Sequence, residues 1–324
     1  MSVIEKLRKK ILFSALFAVL VFALISIYAD LNEITAELMA FEWKYIPLIL
    51  LLTILNYLLR FYKWDYYLSI LDIHVSKMDS AIVFFSGLTM SVTPGKLGEV
   101  LKSYLLKQLD NISMSRTAPI VFAERLTDVV GLIILASTGS ILFDNGKVVL
   151  IMILSFIAML LIIIQSRSLS HSLIGFGEKL PLVSGVAHHL YASYESAFSL
   201  LEMKPLFISI LISIVSWSFE CIAMWYVLKG FGIDRSLVFA TFAFSFSSMA
   251  GAVSMLPGGL GVAEGSIVGI LQSTGISKAI AAGAALLIRF GTLWFGVFVG
   301  ALTLALNRKK FENRDDTDVL ELEQ

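Results

Sequence analysis

The sequence predicts an all-α, polytopic membrane protein with inverted-topology repeats and two broken, re-entrant helical hairpins. Three observations predict it. Hydrophobic residues make up 57% of the 324 and charged residues only 15%, against about 25% charged in soluble proteins, and the mean hydropathy is +0.85. The apolar runs are long and continuous, unlike the alternating pattern of a β-barrel. Two runs are interrupted by proline and glycine beside charged residues, at Thr93-Pro94-Gly95-Lys96-Leu97-Gly98-Glu99 and at Leu256-Pro257-Gly258-Gly259-Leu260-Gly261-Val262-Ala263-Glu264. Neither stretch continues a smooth helix, because proline removes an amide donor and turns its predecessor away from helical angles, while glycine adds freedom. Broken backbone at membrane depth is tolerated only where it is buried in protein or lines a cavity.

Each element follows in turn. Ile11 to Ala29 is the first span; it is long for a signal sequence, and no small-x-small cleavage site precedes Asp30, so it is expected to be retained. Asp30 to Lys44 is a short external segment. Tyr45 to Tyr62 is the second span, closing on Arg60, Lys63 and Trp64 as an interfacial anchor set. Asp65 to Asp79 is a polar loop. Ser80 to Thr93 spans only about 21 Å as a helix, so a re-entrant leg is expected, with Lys96 to Lys107 returning. Ala118 to Phe143 is a full span carrying Glu124, Arg125 and Asp128. A turn at Asp144-Asn145-Gly146-Lys147 leads into the span Val148 to Gln165. Arg167 to Lys204 holds apolar residues at helical spacing and reads as an amphipathic helix on the cytoplasmic surface. Pro205 to Leu228 carries Glu220. Leu237 to Leu256 enters the second break, Val262 to Ser273 leaves it, and Lys278 to Leu306 is the last span, with Arg289. Residues 1–310 thus form one transmembrane domain, with repeat one at 45–143, repeat two at 205–306 and a linking span and surface helix at 148–204; 311–324 is a disordered cytoplasmic tail.

Basic residues set the expected orientation. With the N-terminus inside, 17 of the 25 Lys and Arg fall in cytoplasmic segments, 5 in external ones, and Lys96, Arg125 and Arg289 within the membrane. Both termini are then cytoplasmic. The breaks recur with the spans around them: Pro94 lies 31 residues before Arg125, and Pro257 lies 32 before Arg289. A polar or charged residue, Arg60 or Glu220, precedes each break. The two units run in opposite directions through the bilayer, the arrangement of inverted-repeat transporters. Five intramembrane acids, Glu99, Glu124, Asp128, Glu220 and Glu264, outnumber three bases, so one carboxyl is expected to be protonated or paired with a cation. Asp128 and Glu124 are placed to pair with Arg125 or Lys96, Glu220 with Arg289, and Lys102 with Glu99 as a helix-surface contact three residues away. A simpler account of each break is a kinked span with glycine for close packing.

The motifs T-P-G-K-x-G-E-x-x-K, E-R-x-x-D and L-P-G-G-x-G-x-x-E, with an arginine in the last span, resemble the lysylphosphatidylglycerol synthase transmembrane domain family, also called flippase-like membrane proteins. The resemblance covers roughly Lys6 to Lys310. It implies the lipid-translocating half of proteins that make and flip aminoacylated phosphatidylglycerol, a domain that also occurs alone or beside glycosyltransferases using polyprenyl phosphates. Carried over by motif, the implied site is Pro94, Gly95, Lys96, Gly98, Glu99, Glu124, Arg125, Asp128, Pro257, Gly258, Gly259, Gly261, Glu264 and Arg289; Lys102 stands where relatives carry arginine, and Glu220 joins the site by its charge in a span. No globular stretch follows Leu306, so aminoacylation itself is not expected of this chain.

Function therefore reads as a translocase for a phospholipid or polyprenyl-phosphate headgroup in the prokaryotic plasma membrane, with an anionic, aminoacylated or polyprenyl-phosphate lipid as substrate and a lipid-modifying enzyme or glycosyltransferase as partner. A secondary transporter of a small soluble ion or metabolite, and a non-transporting partner of a glycosyltransferase, stay open. An enzyme is not expected: there is no H-E-x-x-H, G-x-S-x-G, Walker loop or cysteine-histidine metal spacing. No cofactor, metal or nucleic acid is implied by a chain of zero net charge. The single cysteine, Cys221, reads as a packing residue.

Overall fold

The structure, a computed structural model, describes residues 16–17, 19–24, 27–93, 98–141, 155 and 187–312. The expectations for Pro94, Gly95 and Lys96, for the turn at 144–147, for most of 148–165 and for the tail fall outside these residues. Among the described residues every regular element is helical. Among these residues three helical stretches are long and apolar enough to cross a bilayer, Trp43–Ile70, Met203–Gly230 and Lys278–Leu306. The protein is an all-α polytopic membrane protein.

The element expected as a plain external segment is a helix, α1 (Leu31–Ala40). Asp30 starts it: its φ is 60° and its carboxylate accepts the Asn32 amide at 2.9 Å. The second span, α2 (Ile46–Ile70), does not stop at Tyr62 but runs 25 residues, about 38 Å. This corrects the anchor reading, since Arg60, Lys63 and Trp64 lie inside the helix and are buried at 5%, 0% and 0% exposure. An apolar run followed by Lys and Trp suggests an interface; the helix instead carries both residues into the bundle, where Asp128, Ser213 and Thr127 meet the Lys63 ammonium and the Lys102 ammonium lies over the Trp64 ring.

The first hairpin goes in through α3 (Lys77–Gly87) and a 3₁₀ turn (Leu88–Val92), and returns through α4 (Leu101–Asp110). Its neighbour α5 (Met114–Ser137) is the span with Glu124, Arg125 and Asp128. Within the segment expected as a surface helix, α6 (Ala187–Leu200) is helical and tied to α5 by Ser193 donating to the Ser115 carbonyl at 3.1 Å. Then come α7 (Met203–Gly230), the second hairpin α8 (Leu237–Val253) and α9 (Val262–Ser273), and the last span. That span is α10 (Lys278–Arg289), a π-helical turn (Phe290–Trp294) and α11 (Phe295–Leu306), followed by α12 (Arg308–Glu312). Lys310 and Ser76 hydrogen-bond the Asp79 carboxylate and hold its pKa below the ordinary value, tying α12 to the entrance of the first hairpin.

The structure makes the repeat sharper than the sequence motif does. After α2 the chain turns through Asp72, at φ 53°, Ile73 bonds back to Leu68, and Ser76 caps α3; after α7 it turns through Gly232, at φ 71°, Ile233 bonds back to Leu228, and Ser236 caps α8. The hairpins also end alike, at Asn111-Ile112-Ser113 and Gly275-Ile276-Ser277, with Asn111 and Gly275 both at positive φ. These are αL stops followed by an apolar residue and a serine cap. By this register Arg60 and Glu220 occupy equivalent positions, each 12 residues before its αL turn. The halves pack together along α2 and α7, where the Asn56 side-chain amide donates to the Ser216 carbonyl at 2.8 Å. Cys221 is buried among the apolar residues of that packing.

Candidate functional site

The second break is described in full. Helix α8 ends at Val253, Met255 takes φ 55°, a 3₁₀ turn covers Pro257–Gly259, and α9 starts after Gly261. Gly258, Gly259 and Gly261 have φ of 61°, 67° and 85°, the region where side chains are strained. Pro257, Gly258 and Gly259 are buried. The Glu264 carboxylate accepts the Gly261 amide at 2.6 Å and the Arg289 Nε at 2.6 Å, while the other end of the Arg289 fork donates to the Gly258 carbonyl. One arginine and one carboxylate thus satisfy both sides of the break, as backbone at membrane depth requires.

The first break uses the same parts. The Gly98 amide donates to Thr93 Oγ1 at 2.8 Å across the break, and Thr93 Oγ1 in turn donates to the Met90 carbonyl. A Cβ on Gly98 would fall 2.5 Å from that hydroxyl oxygen, so the contact demands glycine. Arg125 donates to Glu99 at 2.9 Å. Break carboxylate and following arginine are 26 residues apart here and 25 in the second unit. The two breaks meet: a Cβ on Gly258 would lie 3.4 Å from the Val92 Cα. Residues of the first span close over this junction, with Val21 packed against Val92, Leu260 and Leu293.

Two expected pairs are present, Arg125 with Asp128 and Lys102 with Glu99, but the shorter contacts of Asp128 and Lys102, and the pairing of Arg289, differ from the expected ones. Lys102 is no surface residue: it is 2% exposed, bonds Glu124 at short range, lies 3.8 Å from Glu99, and sits over the Trp64 and Phe84 rings. Gly87 makes room for its stem, since a Cβ there would fall 2.5 Å from Lys102 Cγ. Asp128 pairs with Lys63 at 2.6 Å, and Arg125 approaches its second oxygen at 3.5 Å. Ser213 donates to Asp128 at 3.0 Å and accepts from Lys63 at 2.8 Å. Arg289 pairs with Glu264, not with Glu220; Glu220 accepts from Thr53 at 3.4 Å.

This also corrects the acid excess. Buried Arg60, Lys63 and Lys102 join the half-buried Arg125 and Arg289, so the described residues hold five bases against the five acids inside the bundle. Moving those three from the cytoplasmic count leaves 14 against 5, still a positive-inside bias.

Between the breaks lies a cavity of about 240 Å³. Of the residues singled out by sequence, Arg125, Asp128, Glu220, Gly258, Gly259 and Arg289 line it, while Glu99, Lys102, Glu124 and Glu264 stand behind as partners of the lining or of one another. Asn56, Tyr57 and Arg60 line it too. The signal for Arg60 was its place in the repeat, opposite Glu220. In the last span the π-turn directly follows Arg289 and frees backbone groups; the Tyr57 hydroxyl donates to the Thr292 carbonyl there.

The family described as lysylphosphatidylglycerol synthase TM region matches residues 11–300. A UPF0104 membrane protein of Methanothermobacter thermautotrophicus is 26% identical over 318 residues, 91% of this chain and 92% of the relative. UPF0104 membrane protein MJ1078 of Methanocaldococcus jannaschii is 26% identical over 212 residues, 65% of this chain and 91% of its own. UPF0104 membrane protein PH1989 of Pyrococcus horikoshii is 24% identical over 315 residues, 87% and 92% respectively. With both breaks, both break-to-arginine pairs and most of the last span inside the matched region, the chain belongs to the lysylphosphatidylglycerol synthase transmembrane-region family.

Proposed function

We propose that this protein is a lipid translocase, moving a phospholipid or polyprenyl-phosphate headgroup across the bilayer. The observation that carries the reading is the cavity between the breaks, which sets Arg60, Arg125 and Arg289 beside Asp128 and Glu220 among neutral polar and apolar residues. Groups of both signs suit a phosphate with a cationic or polar substituent. The volume is below the about 300–1,000 Å³ of pockets that enclose whole drug-sized ligands, so it takes a headgroup while the chains remain in lipid. The substrate is an anionic, aminoacylated or polyprenyl-phosphate lipid, supplied or consumed by a lipid-modifying enzyme or glycosyltransferase. The chain moves lipid without making or breaking a covalent bond.

Reconstituted in proteoliposomes, the protein is expected to speed exchange of such a headgroup between leaflets over protein-free vesicles. Exchange at the protein-free rate for anionic, aminoacylated and polyprenyl-phosphate lipids alike overturns the reading, and uptake of a soluble solute in its place favours a solute transporter.

Both termini face the cytoplasm in this reading. In a Cys221→Ser background, a membrane-impermeant thiol reagent added outside cells is expected to label Lys44→Cys and to leave Glu202→Cys unlabelled until the cells are opened; both positions are exposed. The opposite pattern inverts the orientation.

A further inference from the structure

Four of the five bases inside the bundle are committed to carboxylates. Lys63 is matched by Asp128, Lys102 by Glu124, Arg125 by Glu99 and Arg289 by Glu264. Arg60 is the exception. It is 5% exposed and lines the cavity, yet it makes no hydrogen bond or ion pair among the described residues, and its Nε is buried without an acceptor. Its guanidinium carbon lies 5.7 Å from the centre of the Trp217 ring. A buried cation with no direct hydrogen-bonding or ion-pairing partner is costly even with Asp128 and Glu220 elsewhere on the cavity wall, and arginine cannot escape the cost by losing its proton.

We propose that Arg60 is the anion-binding residue of the cavity, and that its ligand is a phosphate oxyanion. Arg125 and Arg289 are then positioning residues that hold the breaks. The guanidinium presents a planar fork of donors that matches two oxygens of one phosphate, and the Trp217 face backs it by a cation–π contact. Asn56, one helical turn before Arg60, and Ser91, at the tip of the first hairpin, line the same cavity and add neutral hydrogen-bonding groups. Arg60 and Glu220 occupy equivalent positions of the repeat with opposite charge, so the cavity has unlike ends despite the matched backbone. The assignment deepens the translocase reading and rests on it for the source of the phosphate, whether a lipid headgroup or the free ion.

The test measures the thermal unfolding midpoint of the full chain in detergent, titrated with dihexanoyl phosphatidylglycerol, with inorganic phosphate, and with uncharged dihexanoylglycerol. Wild type is expected to gain stability from the phospholipid and not from dihexanoylglycerol. Arg60→Met is expected to weaken phospholipid binding by about tenfold or more, and Arg60→Lys, which keeps the charge but loses the fork, to fall between. Arg60→Lys also keeps the test decisive if the methionine variant fails to fold. Unchanged phospholipid binding in Arg60→Met, or in Arg60→Lys where only that variant folds, overturns the assignment while leaving the translocase reading intact. Stabilisation of wild type by inorganic phosphate and not by the phospholipid, lost in the Arg60 variants, keeps the anion site and removes the lipid. No stabilisation of wild type by either phosphate compound overturns the proposal.

Discussion

Asp128→Ala is expected to destabilise the protein by about 3–5 kcal/mol, the range for removing one member of a buried ion pair. The variant leaves Lys63 at 0% exposure with only the Ser213 and Thr127 hydroxyls, at 2.8 and 3.3 Å, and takes from Arg125 the carboxylate oxygen 3.5 Å away. Equilibrium unfolding in mixed micelles checks the magnitude. The double variant Lys63→Met/Asp128→Leu is expected to recover most of the loss, because an apolar pair of similar volume carries no desolvation penalty. That recovery separates a structural role from a functional one. Asp128 and Arg125 line the cavity, so the double variant is expected to be stable but impaired in lipid exchange. A cost under about 1 kcal/mol for Asp128→Ala, typical of solvated surface pairs, would show that water reaches this pair.

The breaks were legible because proline and glycine in apolar runs have few physical explanations, and the structure ends α8, turns and restarts α9 as the residues at 253–262 demand. Charges at membrane depth were legible for the same reason. Their partners were not. Sequence spacing reveals neighbours on one helix, such as Arg125 and Asp128, but Lys102–Glu124 and Lys63–Asp128 join elements 22 and 65 residues apart through packing. Arg60 and Lys63 were misplaced because an apolar run followed by Arg, Lys and Trp looks the same at a membrane edge as at an interior site fed by a long helix. The discriminating signal lay further on. The αL turn and serine cap of the first unit come at Asp72 and Ser76, and the same spacing in the second unit, at Gly232 and Ser236, follows a span that plainly continues to Gly230. Aligning the units on these turns carries α2 past Lys63 and sets Arg60 against Glu220.

Arg289→Ala is expected to cost about 3–5 kcal/mol and to abolish lipid exchange. Glu264, at 0% exposure, would keep only the Gly261 amide on one oxygen, and the other would face the interior as an unmatched charge. The Gly258 carbonyl would lose its donor in the same step, adding the cost of a buried unsatisfied acceptor. Both losses fall on the turn that touches Val92 of the first hairpin, so the break loosens where the two units meet. Arg289→Lys is expected to do part of the damage, because a single ammonium can reach the carboxylate or the carbonyl but does not reproduce the fork that joins them. Adding Glu264→Gln to Arg289→Ala removes the buried charge and is expected to restore stability by a kilocalorie or more, on the order of a charged-group desolvation difference. Exchange is expected to stay lost in that double variant, because the Gly258 carbonyl remains unpaired and the break is no longer held from the last span. Restored exchange alongside restored stability would mean that Arg289 serves only to neutralise Glu264, and that the turn keeps its shape without being stitched.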